Sequence, residues 1–74
     1  MAKTIYSNDH KLLVERLKKA RLTAKLTQVE AGKLLGKDQT FISKVESGQY
    51  RVDAIQLAGF SKIYKKDLRY FFWK

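Results

Sequence analysis

The segment 38–46 carries polar side chains whose chemistry suits the edges of nucleic-acid bases. They are Gln39, Thr40, Ser43 and Lys44. The glutamine amide donates and accepts at once, which matches the N6/N7 edge of adenine, and the lysine can reach O6 and N7 of guanine. The threonine offers a hydroxyl and a methyl group suited to thymine. The alternative interpretation is that these side chains form a merely solvated surface. The two interpretations differ in whether the fold presents the four side chains together.

The stretch 27–46 predicts two short helices that cross at a steep angle. Their connection, Gly36-Lys37-Asp38, leaves too little chain for the helices to run antiparallel and side by side. A steep crossing demands close backbone approach, which Gly32 allows, and a turn residue that tolerates the left-handed region, which Gly36 supplies. The segment therefore predicts a helix-turn-helix over about 28–46 whose second helix has one polar face uncommitted to the core.

Apolar residues recur at helical spacing along the rest of the chain, so we predict an all-α fold. We expect five short helices near 9–24, 28–35, 38–46, 54–64 and 68–72, after an N-terminal arm over residues 1–8. Capping side chains mark their starts: Thr27 with Glu30, Asp38, Asp53 and Asp67. The predicted inward positions are Leu13, Leu17, Ala20, Val29, Gly32, Leu35, Phe41, Ile42, Val45, Leu57, Phe60 and Tyr64, and Val14 and Leu22 are predicted to flank the apolar face of the first helix. Residues 9–74 then form one domain.

Charge and composition narrow the classes of function. The net charge of +9 and the pI of 10.0 favour a polyanionic partner, although a plain solubilising surface or an anionic membrane would also explain them. Without cysteine and with a single histidine, His10, the chain offers neither a disulfide framework nor a zinc finger. We expect no enzyme activity, no cofactor and no metal. No apolar run approaches a membrane span and no leader precedes the first helix, so we expect a soluble cytoplasmic protein.

These residues together resemble the Xre/Cro-type helix-turn-helix family, which includes the phage repressors and Cro proteins. The residues that carry the resemblance are Leu17, Arg21, Leu26-Thr27-Gln28, the segment 27–46, Ser47-Gly48, Asp53, Leu57, Phe60 and Tyr64. The resemblance implies a compact five-helix, lambda-repressor-like domain. It also implies that the helix from about Asp38 to Val45 enters the major groove of double-stranded DNA.

The resemblance implies roles for individual residues. The family contacts bases at the positions of Gln39, Thr40, Ser43 and Lys44. At the position of Gln28 it holds a phosphate and braces the first base-reading residue, here Gln39. Arg21 and Glu46 match the family's structural ion pair. The residues that flank the recognition helix are candidate phosphate contacts: Lys37, Gln49, Tyr50 and Arg51.

Two sites depart from the family pattern. Family members usually have glycine where this chain has Lys25, just after the first helix. If the backbone there keeps a left-handed conformation, lysine costs about 1 kcal/mol relative to glycine. The family also tends to have leucine-alanine where Ala31-Gly32 stands, so the second helix is expected to pack closer or to be weaker.

Aromatic residues are concentrated at the C-terminus. Tyr70, Phe71, Phe72 and Trp73 form a larger apolar group than the end of so small a domain needs. Since proteins of this family commonly bind pseudo-palindromic sites as two-fold dimers, we predict that the fourth and fifth helices form a homodimer surface. The alternative is that all four aromatics pack on their own core.

We therefore predict a small sequence-specific transcriptional regulator. Repression is favoured over activation because the chain has no room for an activation or ligand domain. The resemblance implies a bacterial or phage protein that acts at the nucleoid. A protein-interaction module of the same fold, such as an antitoxin with a protein partner, is the alternative from another class. A restriction-modification controller is an alternative among DNA-binding proteins.

Overall fold

The computed structural model describes residues 8–72, the side chain of Phe72 excepted, as helices joined by short turns. Helix α1 spans Asn8–Thr23, α2 Gln28–Leu35, α3 Gln39–Glu46, α4 Ala54–Tyr64 and α5 Arg69–Phe72. The predicted all-α fold class is confirmed. Asn8, the last residue of the predicted arm, is the first residue of α1, and residues 1–7 lie outside the described part.

Side-chain caps fix where three of the helices begin. The Thr27 hydroxyl accepts from the Glu30 backbone N–H at 3.0 Å, and the Glu30 carboxylate accepts from the Thr27 N–H at 2.8 Å. The predicted capping box at α2 is therefore present. Asp38 caps α3 through the third backbone N–H of that helix, at 3.0 Å. Asp53 caps α4 in a second capping box, whose other member is Gln56.

Helices α1 to α4 end in one shared backbone arrangement. The residue after each last turn is left-handed: Lys25 (φ 60), Gly36 (φ 72), Gly48 (φ 82) and Lys65 (φ 57). At all four ends, this residue donates to the carbonyl three positions earlier, and the next residue donates to the carbonyl five positions earlier. Both bonds satisfy carbonyls that the helix leaves unpaired. Because Lys25 is left-handed, the expected cost of about 1 kcal/mol relative to glycine applies to this residue.

The core is centred on α1, which contacts α3, α4 and α5, while α2 contacts α3 and α4. Every described helix contributes at least one buried apolar residue. These residues are Leu17, Ala20, Ala31, Ile42, Val45, Leu57, Phe60, Tyr64 and Phe71. Each large side chain among them contributes about 1.5–3 kcal/mol by leaving water. Burial of Ile42 and Val45 fixes the inner face of α3, as predicted.

Two apolar residues of α1 and α2 are more exposed than predicted. Val29 was predicted to face inward and is 45% exposed, so this prediction was wrong, and Leu22, predicted to flank the apolar face, is 57% exposed. Helix α1 turns Ala20 and Arg21 inward, and Leu22 lies about 100° further round the helix. Helix α2 instead makes its inward contacts through the buried pair Ala31-Gly32 and through the partly buried Leu35.

The C-terminal helix closes the core, which corrects the prediction for Phe71. Its side chain is only 1% exposed, because α5 packs on α1 and turns that ring inward. Phe71 is therefore a core residue and not part of a dimer surface. Tyr70 is half-buried, with its ring 5.3 Å from the Arg16 guanidinium and 4.8 Å from the Lys66 ammonium. The Phe72 side chain and Trp73 lie outside the described part of the chain.

Candidate nucleic-acid interface

Helix α3 divides its side chains between the core and the surface. Ile42 and Val45 are 0% and 1% exposed, and Phe41 is half-buried. The residues predicted to contact bases, Gln39, Thr40, Ser43 and Lys44, are all exposed. We call these four residues the polar face of α3. Its inner face holds the helix in place, so the polar face is free to meet a ligand in solvent.

Close contact between α2 and α3 depends on Gly32. A Cβ atom at this position would lie 2.8 Å from the carbonyl carbon and oxygen of Asp38, closer than real Cβ atoms approach backbone. Asp38 is the cap of α3, so the contact fixes where the helix begins relative to α2. The absence of a side chain at Gly32 therefore allows a closer approach of α2 to the start of α3 than alanine would allow.

A chain of hydrogen bonds links the core to the first residue of the polar face. Gln39 Nε2 donates to Gln28 Oε1 at 3.3 Å, and Gln28 Nε2 donates to Glu46 Oε1 at 3.2 Å. Glu46 is held by Arg21 through two bonds, from Nε at 2.7 Å and from Nη2 at 3.1 Å. The predicted ion pair is present, and so is the predicted bracing of Gln39 by Gln28. The orientation of Gln39 is therefore set by contacts that reach through to α1.

The ion pair is nearly removed from solvent. The side chains of Arg21 and Glu46 are 10% and 5% exposed. The hydrogen bond to Glu46 raises the pKa of Arg21, and burial opposes this shift. Arg21 Nη1 also donates to the Leu26 carbonyl at 2.8 Å, which ties the turn after α1 to the same network. The pairing neutralises a carboxylate that would otherwise repel an anionic ligand of the polar face.

Phe41 organises the residues on either side of α3. The Tyr50 ring meets it edge-on with centroids 5.2 Å apart, and the Lys37 ammonium lies 5.5 Å from its centroid. The Tyr50 hydroxyl accepts from Gln56 Nε2 at 3.0 Å, and Gln56 Oε1 accepts from the Asp53 N–H at 3.0 Å. Two predicted phosphate contacts, Lys37 and Tyr50, are thus placed by a shared aromatic neighbour.

Sequence reasoning missed the positioning role of Phe41 and Gln56. Phe41 was predicted only as an inward residue, whereas its ring also supports Lys37 and Tyr50. The Asp-x-x-Gln spacing of residues 53–56 is the capping-box signal that would have identified Gln56. Nothing in the spacing alone showed that the same amide would also reach Tyr50.

A helix-turn-helix family model matches residues 17–71, which is most of the chain. The chain belongs to the Xre-type helix-turn-helix family. A comparison with curated proteins gives no significant match. This helix-turn-helix protein is thus a DNA-binding protein of a regulatory, generally non-enzymatic family.

The helix-turn-helix protein places its predicted DNA-contact residues on or close to α3, in two groups linked by side-chain contacts. Gln28 and the polar face are joined through Gln39, and Lys37 and Tyr50 are joined through Phe41. Gln49 and Arg51, the other predicted phosphate contacts, are exposed on either side of Tyr50 in the turn before α4. The predicted dimer residue Tyr70 lies elsewhere, on the helix α5 that packs against α1.

Within residues 8–72, no three side chains of the metal-binding types are grouped closely enough to hold an ion. In the same part of the chain, each helix is too short or too polar to cross a membrane.

Proposed function

We propose that the protein binds a specific sequence of double-stranded DNA by placing α3 in the major groove. The observation that supports this most directly is the exposed polar face on a helix whose opposite face is buried in the core. The major groove is about 12 Å wide and admits an α-helix. An eight-residue helix is about 12 Å long, so its residues span a few base pairs.

In this proposal, Gln39 is the residue whose side chain is already positioned to hydrogen-bond a base. One hydrogen of its Nε2 is used in the bond to Gln28 Oε1. The other hydrogen and both lone pairs of Oε1 are left, which is what the N7 and N6 positions of adenine require. Because Gln28 already holds the side chain, less rotamer freedom is lost when the base is bound. Thr40, Ser43 and Lys44 read neighbouring positions in this proposal.

The flanking residues would hold the DNA backbone. Gln28 is the first residue of α2, where backbone N–H groups and the helix dipole favour a phosphate. Lys37, Gln49, Tyr50 and Arg51 are exposed on the other side of α3. Contacts of this kind set register and affinity, while the polar face sets the choice of sequence.

The regulatory role proposed is repression by a homodimer on a pseudo-palindromic operator. Occupying an operator that overlaps a promoter needs only the DNA interface. Two copies related by a two-fold axis would place their α3 helices about 34 Å apart, one turn of DNA. With Phe71 assigned to the core, the proposed dimer surface on α4 and α5 keeps the half-buried Tyr70, Leu68 just before α5, which is 44% exposed, and Ile55 of α4, which is 84% exposed.

Selection of bound duplexes from a random DNA pool tests the proposal. We expect enrichment of one half-site, repeated in inverted orientation at a spacing of about one helical turn. Enrichment of a single unrepeated half-site would contradict the dimer. Recovery of duplexes with no sequence in common would contradict sequence-specific binding itself.

A further inference from the structure

Lys25 holds a backbone conformation that glycine would adopt at lower cost. Of the four left-handed helix ends, two have glycine (Gly36 and Gly48) and two have lysine (Lys25 and Lys65). The hydrogen-bond pattern is the same at all four, so the backbone does not require lysine at any of them. A strained residue that the fold does not require points to a role for its side chain.

The surroundings of Lys25 indicate what that role is. Lys25 shares an open surface depression of about 410 Å³ with Gln28 and Gln39, the two residues that lead the proposed DNA interface. The exposed side chains of Leu22 and Val29 line the same depression. Lys65, in contrast, borders a separate depression between α1, α2 and α4 with Leu34 and Ile63.

The charges around the depression favour an anion beside Lys25. Two cationic residues line it, and one of them, Arg21, is committed to Glu46. The nearby carboxylate of Glu30 accepts the Thr27 backbone N–H at the start of α2. The ammonium of Lys25 is therefore the positive charge in this depression that is available to a ligand.

We propose that Lys25 is an additional contact to the DNA backbone, binding a phosphate of the strand that passes over the start of α2. This proposal rests on the proposed function and deepens it. Gln28 and Lys25 would hold the DNA backbone on one side of α3, while Lys37 and the turn before α4 hold it on the other side. The apolar side chains of Leu22 and Val29 lower the local polarity beside the phosphate and strengthen its attraction to the ammonium.

The variant Lys25→Gly tests this proposal because backbone strain and DNA binding then change in opposite directions. Glycine relieves the left-handed strain, so we expect the Tm to rise by about 4 °C. Loss of the phosphate contact should weaken binding to the selected duplex up to about fivefold. The slope of log K against log salt should become shallower by about 0.9, the value for one phosphate. Lys25→Gln, which keeps the strain and removes the charge, should change the slope without raising the Tm.

Lys65→Gly is the matched control, since it makes the same exchange in the same backbone conformation away from the interface. We expect its Tm to rise in the same way while affinity and salt slope stay at the wild-type values. If Lys25→Gly also leaves both unchanged while the wild-type protein binds its selected duplex, Lys25 is not a phosphate contact. An equal change of slope in the two variants would mean that only total charge matters, which also overturns the proposal. If the wild-type protein selects no duplex, the proposed function fails instead.

Discussion

Breaking the Arg21–Glu46 pair should destabilise the protein far more than the loss of a surface ion pair. We consider Arg21→Met, Glu46→Leu and the double variant. The paired side chains are 10% and 5% exposed, so removal of either one leaves the other as a buried, uncompensated charge. For such pairs, loss of one partner costs about 3–5 kcal/mol. The double variant leaves no charge behind, and its residues of similar size can fill the site.

The expected cost is large compared with the stability of the whole domain. At about 0.05–0.15 kcal/mol per residue, a chain of 74 residues unfolds with about 4–11 kcal/mol. A single substitution that costs about 3 kcal/mol should lower the Tm by about 12 °C or more. We expect the double variant to be no less stable than either single variant, which corresponds to a coupling energy of at least about 3 kcal/mol.

Urea unfolding followed by far-ultraviolet circular dichroism gives all four stabilities in one double-mutant cycle. Arg69→Met is the control, because the Arg69–Asp67 pair has side chains 78% and 63% exposed. It should unfold at the wild-type urea midpoint. Additive costs in the double variant would refute the reasoning, because they would show that the two side chains stabilise the fold independently of their pairing.

Three further predictions concern the fold that presents α3. Gly32→Ala should lower the free energy of unfolding in urea by about 1–3 kcal/mol and weaken DNA binding, because its Cβ would meet the Asp38 backbone at 2.8 Å. A variant with the stability and the DNA affinity of wild type would show that the placement of α3 does not depend on this contact. Phe71→Ala should cost about 3–5 kcal/mol, whereas a small loss of stability with a shift from dimer to monomer in sedimentation would return Phe71 to the surface. Burial raises the pKa of Tyr64 above its usual value near 10, so the folded chain loses this proton less readily than the unfolded chain. The contribution of protonated Tyr64 to the free energy of unfolding is fully present below about pH 10 and is lost as the pH rises further. The urea midpoint of Tyr64→Phe should therefore fall less than that of wild type between about pH 9.5 and 11. Equal falls in the two proteins would contradict this prediction.

The features that could be predicted from the sequence are those set by local chemistry. The caps at Thr27 and Asp38 depend on hydrogen bonds within one turn of chain, and the turn at Gly36 depends on one backbone conformation. The inward pair Ile42 and Val45 follows from helical spacing. These predictions were confirmed because few other backbone arrangements pair the same N–H groups and bury the same apolar side chains.

The features that could not be predicted depend on how the helices pack together. Leu22 and Val29 have apolar side chains, yet they are exposed, and the buried residues nearby are Arg21 in α1 and Ala31 in α2. Phe71 looked like one of several equivalent aromatics until the contact of α5 with α1 selected it for the core. Similarly, the bonds of Gln56 to both Asp53 and Tyr50 require a turn geometry that spacing does not specify.

In the proposed function, the polar face of α3 selects the DNA sequence, and Gln39 is its leading residue. The most direct test compares Gln39→Ala with wild type on the selected duplex and on a random duplex of equal length at the same salt concentration. We expect a loss of about 1–3 kcal/mol on the selected duplex and no loss on the random one, with relaxed preference at one base pair. Equal losses on both duplexes would contradict base reading by Gln39.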